Sequence, residues 1–456
     1  MGREVLTGWG RTAPSAAEVV RPADAGSVAA ALGSPGPRGT IARGLGRSYG
    51  DAAQNAGGTV VATASLDHIA WSDEGAGLLG VGAGTSLGAI LRALVPGGWF
   101  VPVSPGTRSV SVGGAIAADV HGKNHHADGS FASHVTSLTL ATPVGTREVA
   151  RSADPDLFWA TAGGMGLTGI ILGATIRMLP IETSRVRVVT ERAADLDDVM
   201  ARMSSGDGDH RYSVAWIDCL ASGRNLGRSV LTRGDHARVD ELPAAARRDP
   251  LRFDAASHLS VPAFLPGLVN RTTVRLFNEA WFHWAGRART HATTIEPISG
   301  FFHPLDTLRG WNHLYGPGGF VQYQFVVPFG AEAVVQAALQ RLSALRLPSF
   351  LGVLKRFGPA DPGPLSFPMP GWTLALDLPA RLGGLAQFLD ALDELVAGAG
   401  GRVYLAKDGR LRPDLLARMY PRLGEWMAVR ERVDPDGVLQ SDLARRLRLT
   451  AARRAA

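Results

Sequence analysis

Cysteine is almost missing: Cys219 is the single one in 456 residues. That excludes an intrachain disulfide framework and any zinc or iron–sulfur site built from cysteines. Lysine is nearly as scarce. Of 47 basic residues only Lys123, Lys355 and Lys407 are lysines, and the rest are arginine. Lysine is ordinarily among the commonest residues. Each one retained is a candidate for a site that needs a compact ammonium, or an amine that can lose its proton, which arginine cannot do; the alternative is that three are left by chance. No run reaches the roughly 18 uninterrupted apolar residues of a membrane span; the best, Gly166 to Ile176, stops at Arg177. The N-terminal stretch MGREVLTGWGRTAPS lacks the apolar core of a signal peptide. The expectation is a soluble chain, cytoplasmic or peripheral at the plasma membrane or its periplasmic face.

Charged residues are sparse, at 19% against 45% hydrophobic, so the chain can bury a sizeable core and is not disordered. The net charge of +6 is local. Residues 402–456 carry 13 basic and 7 acidic side chains, the whole surplus, and the remainder balances. A uniformly basic nucleic-acid binder is thereby excluded. What is abundant is glycine, 56 residues, which promises tight turns and close backbone approaches. The length suggests two or three domains at about 150 residues each.

Along the chain, an alanine-rich helix is expected over Ala25–Leu32 and another helix over Ser86–Leu94, with a third over Asp156–Ala162. Short buried strands are expected at Gly39–Ala42, Gly58–Ala62 and Gly77–Gly82, a hairpin over Val135–Ala141 and Thr146–Val149, and a β-rich run over Thr168–Met178. After Pro180 the texture changes. Strands are expected at Val186–Thr190, Tyr212–Asp218, Phe320–Val327, Phe350–Phe357 and Trp372–Leu378, with amphipathic helices over Ala331–Ala344 and Gly383–Ala397. Both halves read as α+β. The interval 255–291 sets Phe264, Phe277, Trp281, Phe282 and Trp284 beside Arg271, Arg275, Arg287 and Arg289. It reads either as a folded helical insertion or as a flap over a site or a membrane surface. The basic tail, 402–456, is expected to be helical and to return to the first half.

Three glycine clusters fall in the first half: 43–51, 104–114 and 163–169. The third contains a formal G-x-G-x-x-G, but a helix precedes it and a strand follows, the reverse of a dinucleotide-binding turn. The first follows a strand, so its backbone N–H groups could cradle a diphosphate, with Arg43, Arg47 and Ser48 adding charge and a hydroxyl. His121 and His125 stand four apart in a glycine-interrupted segment with Lys123 between them. A metal pair, a packed histidine cluster and a polar wall facing a cofactor are all open readings. Gln322 and Gln324 share one face of a strand by its period of two, and Trp372, Thr373 and Asp377 belong to another strand.

Taken together, the segments Leu6–Ser15, Ala42–Asp51, Gly113–Ala117, His121–His126 and Tyr404–Asp408 resemble the vanillyl-alcohol-oxidase-type FAD family. More narrowly, they resemble its polyprenyl-phosphoryl-ribose oxidases. His303–Asp306, Gln322–Phe325 and Leu365–Pro368 extend the likeness nearly end to end. The resemblance implies an FAD-binding domain at 1–182, completed by 402–456. It also implies an α+β substrate domain at 183–401, an antiparallel sheet flanked by helices. FAD, bound without a covalent link, would contact Ala42, Arg43, Gly44, Leu45, Gly46 and Arg47, then Ser48, Tyr49, Gly50, Asp51 and Ala52. Further contacts would come from Gly106, Ser111, Val112, Gly113 and Gly114, from Ala118, Asp119, Val120 and His121, and from Ile171 and Tyr404. No metal is implied.

The implied reaction oxidises the ribose 2'-hydroxyl of decaprenylphosphoryl-β-D-ribose to a ketone. It is the first half of an epimerisation that supplies the arabinose donor for cell-wall arabinan, and a separate NAD(P)H-dependent short-chain reductase would complete it. Lys407, His121 and Tyr49 would stand at the reacting end, with the base open between Lys407 and His121. Trp216, Gln322, Gln324, Lys355, Thr373 and Lys123 would line the sugar-phosphate pocket, and the aromatic, basic interval would suit a lipid tail and a membrane surface. The chain departs from this family at Ala375, where a cysteine is frequent, at Thr373 for asparagine, and at Phe302 for tyrosine. Two rivals remain: an oxidase of free alditols or aldonolactones, and a cofactor-free binder of lipid phosphates.

Overall fold

The computed structural model describes residues 2–254, 259–262, 267–285 and 293–450. Its elements are mixed α and β, with strands in several sheets, the α+β class that both halves of the sequence suggest.

The first sheet holds β1 (Gly2–Leu6), β2 (Ser15–Val20), β3 (Thr40–Arg43) and β4 (Thr59–Ala62) in the order β1-β2-β4-β3. β1 runs antiparallel to β2, while β4 is parallel to both β2 and β3. The crossover between β2 and β3 is α1 (Ala25–Gly33), whose start is fixed by the Asp24 carboxylate accepting from Ser27 N–H at 2.8 Å. The second sheet is antiparallel, in the order β5-β6-β9-β7-β8. Its strands are β5 (Ile69–Asp73), β6 (Leu78–Gly82), β7 (Val135–Thr142), β8 (Gly145–Ala150) and β9 (Ile170–Arg177). Between its strands lie α2 (Leu87–Leu94), α3 (Val112–Ala117) and α4 (Pro155–Thr161). Leu87, Ile90, Leu91 and Leu94 of α2 are buried at helical spacing, one apolar stripe facing the core. The 164–169 glycines join α4 to β9, the reverse of a dinucleotide-binding turn, as the sequence suggests.

The third sheet is an antiparallel one of eight strands. They are β10 (Arg185–Ala193), β11 (Tyr212–Ile217), β12 (Ser229–His236), β13 (Thr293–Pro297), β14 (Phe320–Pro328), β15 (Gly352–Phe357), β16 (Gly371–Pro379) and β17 (Arg402–Val403), in the order β13-β10-β12-β11-β15-β16-β14-β17. Its helices are α5 (Leu196–Gly206), α6 (Arg271–Ala285), α7 (Glu332–Leu345) and α8 (Leu385–Gly398). Strand periodicity sorts β14 into two faces. Tyr323 turns toward the helices and donates to Asp393 of α8 at 2.8 Å, whereas Gln322 and Gln324 turn the other way, toward the first half.

After β17 the chain runs back through α9 (Pro413–Met419), α10 (Leu423–Val433) and α11 (Asp442–Arg446). Gln440 N–H donates to the Thr40 carbonyl at 3.0 Å, Asp442 accepts from Ser15 and from Ala56 N–H, and Arg446 pairs with Asp51 at 2.8 Å. The tail therefore seals the open side of β3 and of the loop that follows it.

Of the strands named here, six escape the sequence reading: β1, β2, β5, β12, β13 and β17, the last at the start of the tail expected to be helical. β12 is instructive. Arg233 and Asp235 interrupt its apolar pattern, yet Arg233 is buried and answered by Asp207 at 3.1 Å, so a charge that reads as a loop is a paired interior group. α5 also goes unread, although Leu196, Val199, Met200 and Met203 bury one helical face. Within 255–291, residues 271–285 form α6, while Phe264, Arg287 and Arg289 lie outside the described residues.

Candidate active site

A cavity of about 1030 Å³ runs from the loop after β3 to Lys407, between the first half of the chain and the inner face of the third sheet. It stands at the upper end of the roughly 300–1,000 Å³ usual for ligand pockets, room for an extended ligand.

At one end the chain leaves β3 and turns through Gly44–Tyr49, with Gly46 in the left-handed region at φ 65°. Arg47 donates to the Ser109 carbonyl at 3.2 Å and lies 4.0 Å over the Trp9 ring, so a fixed guanidinium faces the cavity. A Cβ on Gly113 would stand 2.9 Å from the Ala83 Cβ, which shows how closely α3 is drawn against the β6 end. Gly44, Leu45, Gly46, Arg47, Ser48, Tyr49, Ala42, Ala52, Gly106, Ser111, Gly113, Gly114, Ala118, Val120, His121, Ile171 and Tyr404 all line the cavity.

Five of the expected cofactor contacts do not. Arg43 turns away and donates to the Thr7 and Ala53 carbonyls at 2.8 and 3.0 Å, bracing the loop from behind. Gly50 is pressed against the Asp408 backbone, and Asp51 is held by Arg446. Val112 is a core residue. Asp119, at φ 40°, is fully buried and binds Ser130 and Ser366.

The other end is where imidazole and ammonium groups meet. His121 packs among Phe357, Phe367 and Tyr404, with ring centroids 4.8, 5.6 and 5.2 Å away. Burial, then the charges of Lys355 and Lys407, hold it well below the usual imidazole range, so the ring is neutral. The Gln324 amide donates to His121 Nε2 at 3.0 Å and to Thr373 Oγ1 at 3.0 Å. The His121 proton then belongs on Nδ1. Tyr404 donates to the Ala118 carbonyl at 2.8 Å and stacks on Phe367. Lys407 Nζ lies 5.2 Å from the Tyr49 ring centroid. Burial lowers Lys407 to about 8, with Asp377 pulling the other way. Lys355 falls further, to about 7, through burial and the charges of Lys407 and Lys123. Two of the three retained lysines, Lys355 and Lys407, therefore meet at one cavity.

Lys407, Lys355, Gln322, Gln324, Tyr49 and His121 line it, and three other expected site residues do not. Lys123 donates to the Phe301 carbonyl and sits 4.1 Å over the Phe301 ring, behind the wall. Trp216 spends its indole N–H on the Phe350 carbonyl at 3.0 Å. Thr373 is fully buried and reaches the cavity only through Gln324. Ala375 does line the cavity, and Phe302 is a core residue between Phe100 and Tyr212.

Sequence reading also missed part of the wall. Trp9, Trp311 and Met165 line it, as do Thr107, Arg108 and Asp306. Asp306 accepts from Thr107 Oγ1 at 2.7 Å and from Arg108 N–H at 2.8 Å, while His303 bonds Ser104 at 2.7 Å. The His303–Asp306 segment thus ties the two halves beside the cavity, a role its sequence gives no sign of.

The residues present fit a flavin dinucleotide. The loop supplies glycines and a fixed guanidinium. Deeper in, His121 Nδ1, Gln322 Oε1 and Gln324 Oε1 are buried without a hydrogen-bond partner among the described residues, so polar atoms await a ligand. Comparison with known proteins agrees. Residues 16–151 match the FAD binding domain family and 380–447 match the D-arabinono-1,4-lactone oxidase family. The chain is 46% identical to the decaprenylphosphoryl-beta-D-ribose oxidase of Mycolicibacterium smegmatis, over 97% of each chain. The chain belongs to that oxidase family. It is an FAD-dependent oxidoreductase family, and FAD is the cofactor. The chain is also 44% identical to an uncharacterized protein from Streptomyces coelicolor, over 80% of this chain and all of that one. To the L-gulono-1,4-lactone dehydrogenase of Mycobacterium tuberculosis it is 23% identical over 95% of its length and 96% of the relative's.

Proposed function

We propose that this protein oxidises the ribose 2'-hydroxyl of decaprenylphosphoryl-β-D-ribose to the 2'-ketone, with residues 1–182 and 402–456 holding FAD non-covalently and 183–401 holding the substrate. The observation that carries this reading is the convergence of Lys407, Lys355, His121, Gln322 and Gln324 on one wall of a cavity that begins at the glycine loop. Full-length similarity to a named oxidase of this substrate supports it.

Alcohol oxidation removes a hydride from carbon and a proton from oxygen. Bound FAD supplies the two-electron acceptor. The chain's own task is to orient the sugar and to receive the hydroxyl proton. His121 is poorly placed for the second task, because Gln324 occupies its Nε2 lone pair and its Nδ1 carries hydrogen. Lys407 is better placed. Burial brings it to about 8, so a useful fraction is neutral amine near physiological pH. Lys355 and the two glutamines then offer donors for the sugar hydroxyls. Arg309, also in the lining, offers positive charge to the phosphate.

The polyprenyl tail needs an apolar path outward. Leu305, Leu308 and Trp311 line the cavity. Beyond them Phe277 packs on Phe350, and Leu276, Phe277, Trp281 and Trp284 of α6 are exposed. This face suits the tail and peripheral contact with a membrane surface, with Arg271 and Arg275 beside it. No described helix is long and apolar enough to cross a membrane. The ketone product calls for a hydride-donating reductase, an NAD(P)H-dependent short-chain enzyme, to complete the epimerisation toward the arabinose donor of cell-wall arabinan.

Anaerobic mixing of the yellow protein with polyprenyl-phosphoryl ribose is expected to bleach the flavin absorbance, and free alditols or aldonolactones are not. Bleaching by those alone would favour the lactone-oxidase reading. Lys407→Ala is expected to fold and keep FAD but to slow the bleaching by about 10²-fold or more; an unchanged rate would remove Lys407 from the reaction.

A further inference from the structure

Four polar groups in and behind the cavity wall form a hydrogen-bonded chain whose direction is fixed from one end. The register sets Thr373 of β16 opposite Val326 of β14, and the Thr373 hydroxyl donates to the Phe325 carbonyl at 2.8 Å. A peptide carbonyl only accepts, so that sense cannot be reversed. A hydroxyl has one hydrogen, and Thr373 has spent it. Toward Gln324, 3.0 Å away, Thr373 Oγ1 can therefore only accept, and the atom that meets it must be the amide nitrogen. The same nitrogen has a second hydrogen, which reaches His121 Nε2 at 3.0 Å. That ring nitrogen is thereby bare, and in a neutral imidazole the hydrogen stands on Nδ1.

The chain runs the other way only if its first link is broken. With the carboxamide turned over, Gln324 Oε1 would accept from an Nε2–H of His121, and Nδ1 would be the bare nitrogen. Amide nitrogen and oxygen are alike in size, so spacing alone allows either arrangement. Thr373 separates them. Burial and the charges of Lys355 and Lys407 keep the ring neutral, so the choice lies between two tautomers and not between two charge states. Phe357, Phe367 and Tyr404 enclose the ring. His121 and Gln324 line the cavity, whereas Thr373 is fully buried outside its lining. Left over are His121 Nδ1 and Gln324 Oε1, both buried and without a partner among the described residues. They are one donor and one acceptor, and the reversed chain would exchange the two roles.

We propose that Thr373 is a positioning residue that sets the tautomer of His121 through Gln324, so that the site keeps an imidazole N–H and an amide oxygen for its ligands. The use of that pair in turnover rests on the oxidase reading above; the tautomer itself does not.

The ring nitrogens report the tautomer directly. In FAD-loaded protein grown with ring-¹⁵N histidine, nitrogen resonances show which atom of each imidazole bears hydrogen, and His121→Gln identifies the His121 signals among the 12 histidines. Near neutral pH the wild type is expected to carry hydrogen on His121 Nδ1 alone. Gln324→Glu, whose carboxylate only accepts, is expected to put hydrogen on Nε2 and supplies the reference for the reversed sense. Thr373→Val keeps the shape and loses the hydroxyl, which strands one Gln324 N–H and frees the carboxamide to turn. Hydrogen on Nε2 is then expected in about half of the molecules or more, and Thr373→Ser is expected to restore Nδ1–H. A folded, yellow Thr373→Val protein with hydrogen on Nδ1 alone overturns the proposal. So does a wild type with hydrogen on Nε2, or a Gln324→Glu protein with Nε2 still bare. If the valine variant does not fold, Thr373→Cys, whose sulfur accepts only weakly, carries the same comparison.

These spectra need no substrate, so they stand apart from the proposed reaction. In the bleaching assay Thr373→Val is expected to be about 10-fold slower at saturating substrate, with serine restoring the rate. A changed tautomer with an unchanged rate would leave Thr373 a core residue only and overturn its positioning role. A wild-type flavin that polyprenyl-phosphoryl ribose does not bleach would count against the function, and the nitrogen spectra would then decide Thr373 by themselves.

Discussion

At the residue scale, the glycines of the loop after β3 differ in what they are for. Gly46 is needed for its left-handed backbone, whereas Gly50 is needed for space, since a Cβ there would lie 1.9 Å from the Asp408 carbonyl oxygen. Backbone cannot swing aside as a side-chain end can. Asp408 follows Lys407 directly, and Tyr49 N–H donates to the Ala406 carbonyl at 3.0 Å. Gly50→Ala is therefore expected to push the lysine segment off the loop. The cost is about 1–3 kcal/mol of overpacking, read as a lower Tm, together with a larger share of colourless protein after purification. A variant as stable and as yellow as wild type would refute the close-approach account. The sequence announced the lysines by their rarity and the loop by its glycines. It announced Asp377 only faintly, on the same strand as Thr373 and four positions further on. It gave no hint that Lys123, Trp216 and Arg43 spend their donors on carbonyls, because a backbone acceptor leaves no trace in composition.

At the scale of elements, α11 is a clasp. Its Arg446 meets Asp51 at 2.8 Å and Asp408 at 2.9 Å, joining the tail to the glycine loop and to the segment that carries Lys407. Burial raises the Asp51 carboxyl, and Arg446 opposes that rise. A carboxyl whose folded pKa is raised binds its proton more tightly folded than unfolded, so it lowers stability as pH climbs past the unfolded value. Without Arg446 that penalty grows. Arg446→Ala is expected to lose about 3 kcal/mol near neutral pH, and its Tm deficit is expected to narrow when the pH is lowered toward 5. A deficit independent of pH would show that packing, not charge, accounts for the loss. Elements with clean periodicity, such as α2 and the β7–β8 hairpin, are legible in the sequence. Those whose charges are paired inside, such as β12, are not, since the partner of Arg233 lies 26 residues away at Asp207.

For the whole molecule, two opposed faces of the third sheet divide the work. One buries Tyr323, Phe325 and Val327 toward the helices, and the other turns Gln322, Gln324, Lys355 and Ala375 into the cavity. The His303–Asp306 segment closes this sheet onto the first half, and α6 leaves an aromatic face exposed, with Phe277 packed on Phe350. Replacing Trp281 and Trp284 with serine is expected to leave Tm unchanged. It is expected to raise KM several-fold for a long-chain polyprenyl-phosphoryl ribose, at about 1–2 kcal/mol for lost apolar contact, and not for one with a short chain. Equal effects on both substrates would place the tail elsewhere.

Ala375 carries a practical consequence. It opens onto the cavity beside Gln324 and Lys355, while the one natural cysteine, Cys219, is buried and its thiol is pushed far up by that burial. Ala375→Cys would create a lone reactive sulfur at the heart of the enzyme, so a fluorophore or spin label could be hung there with no background from the rest of the chain.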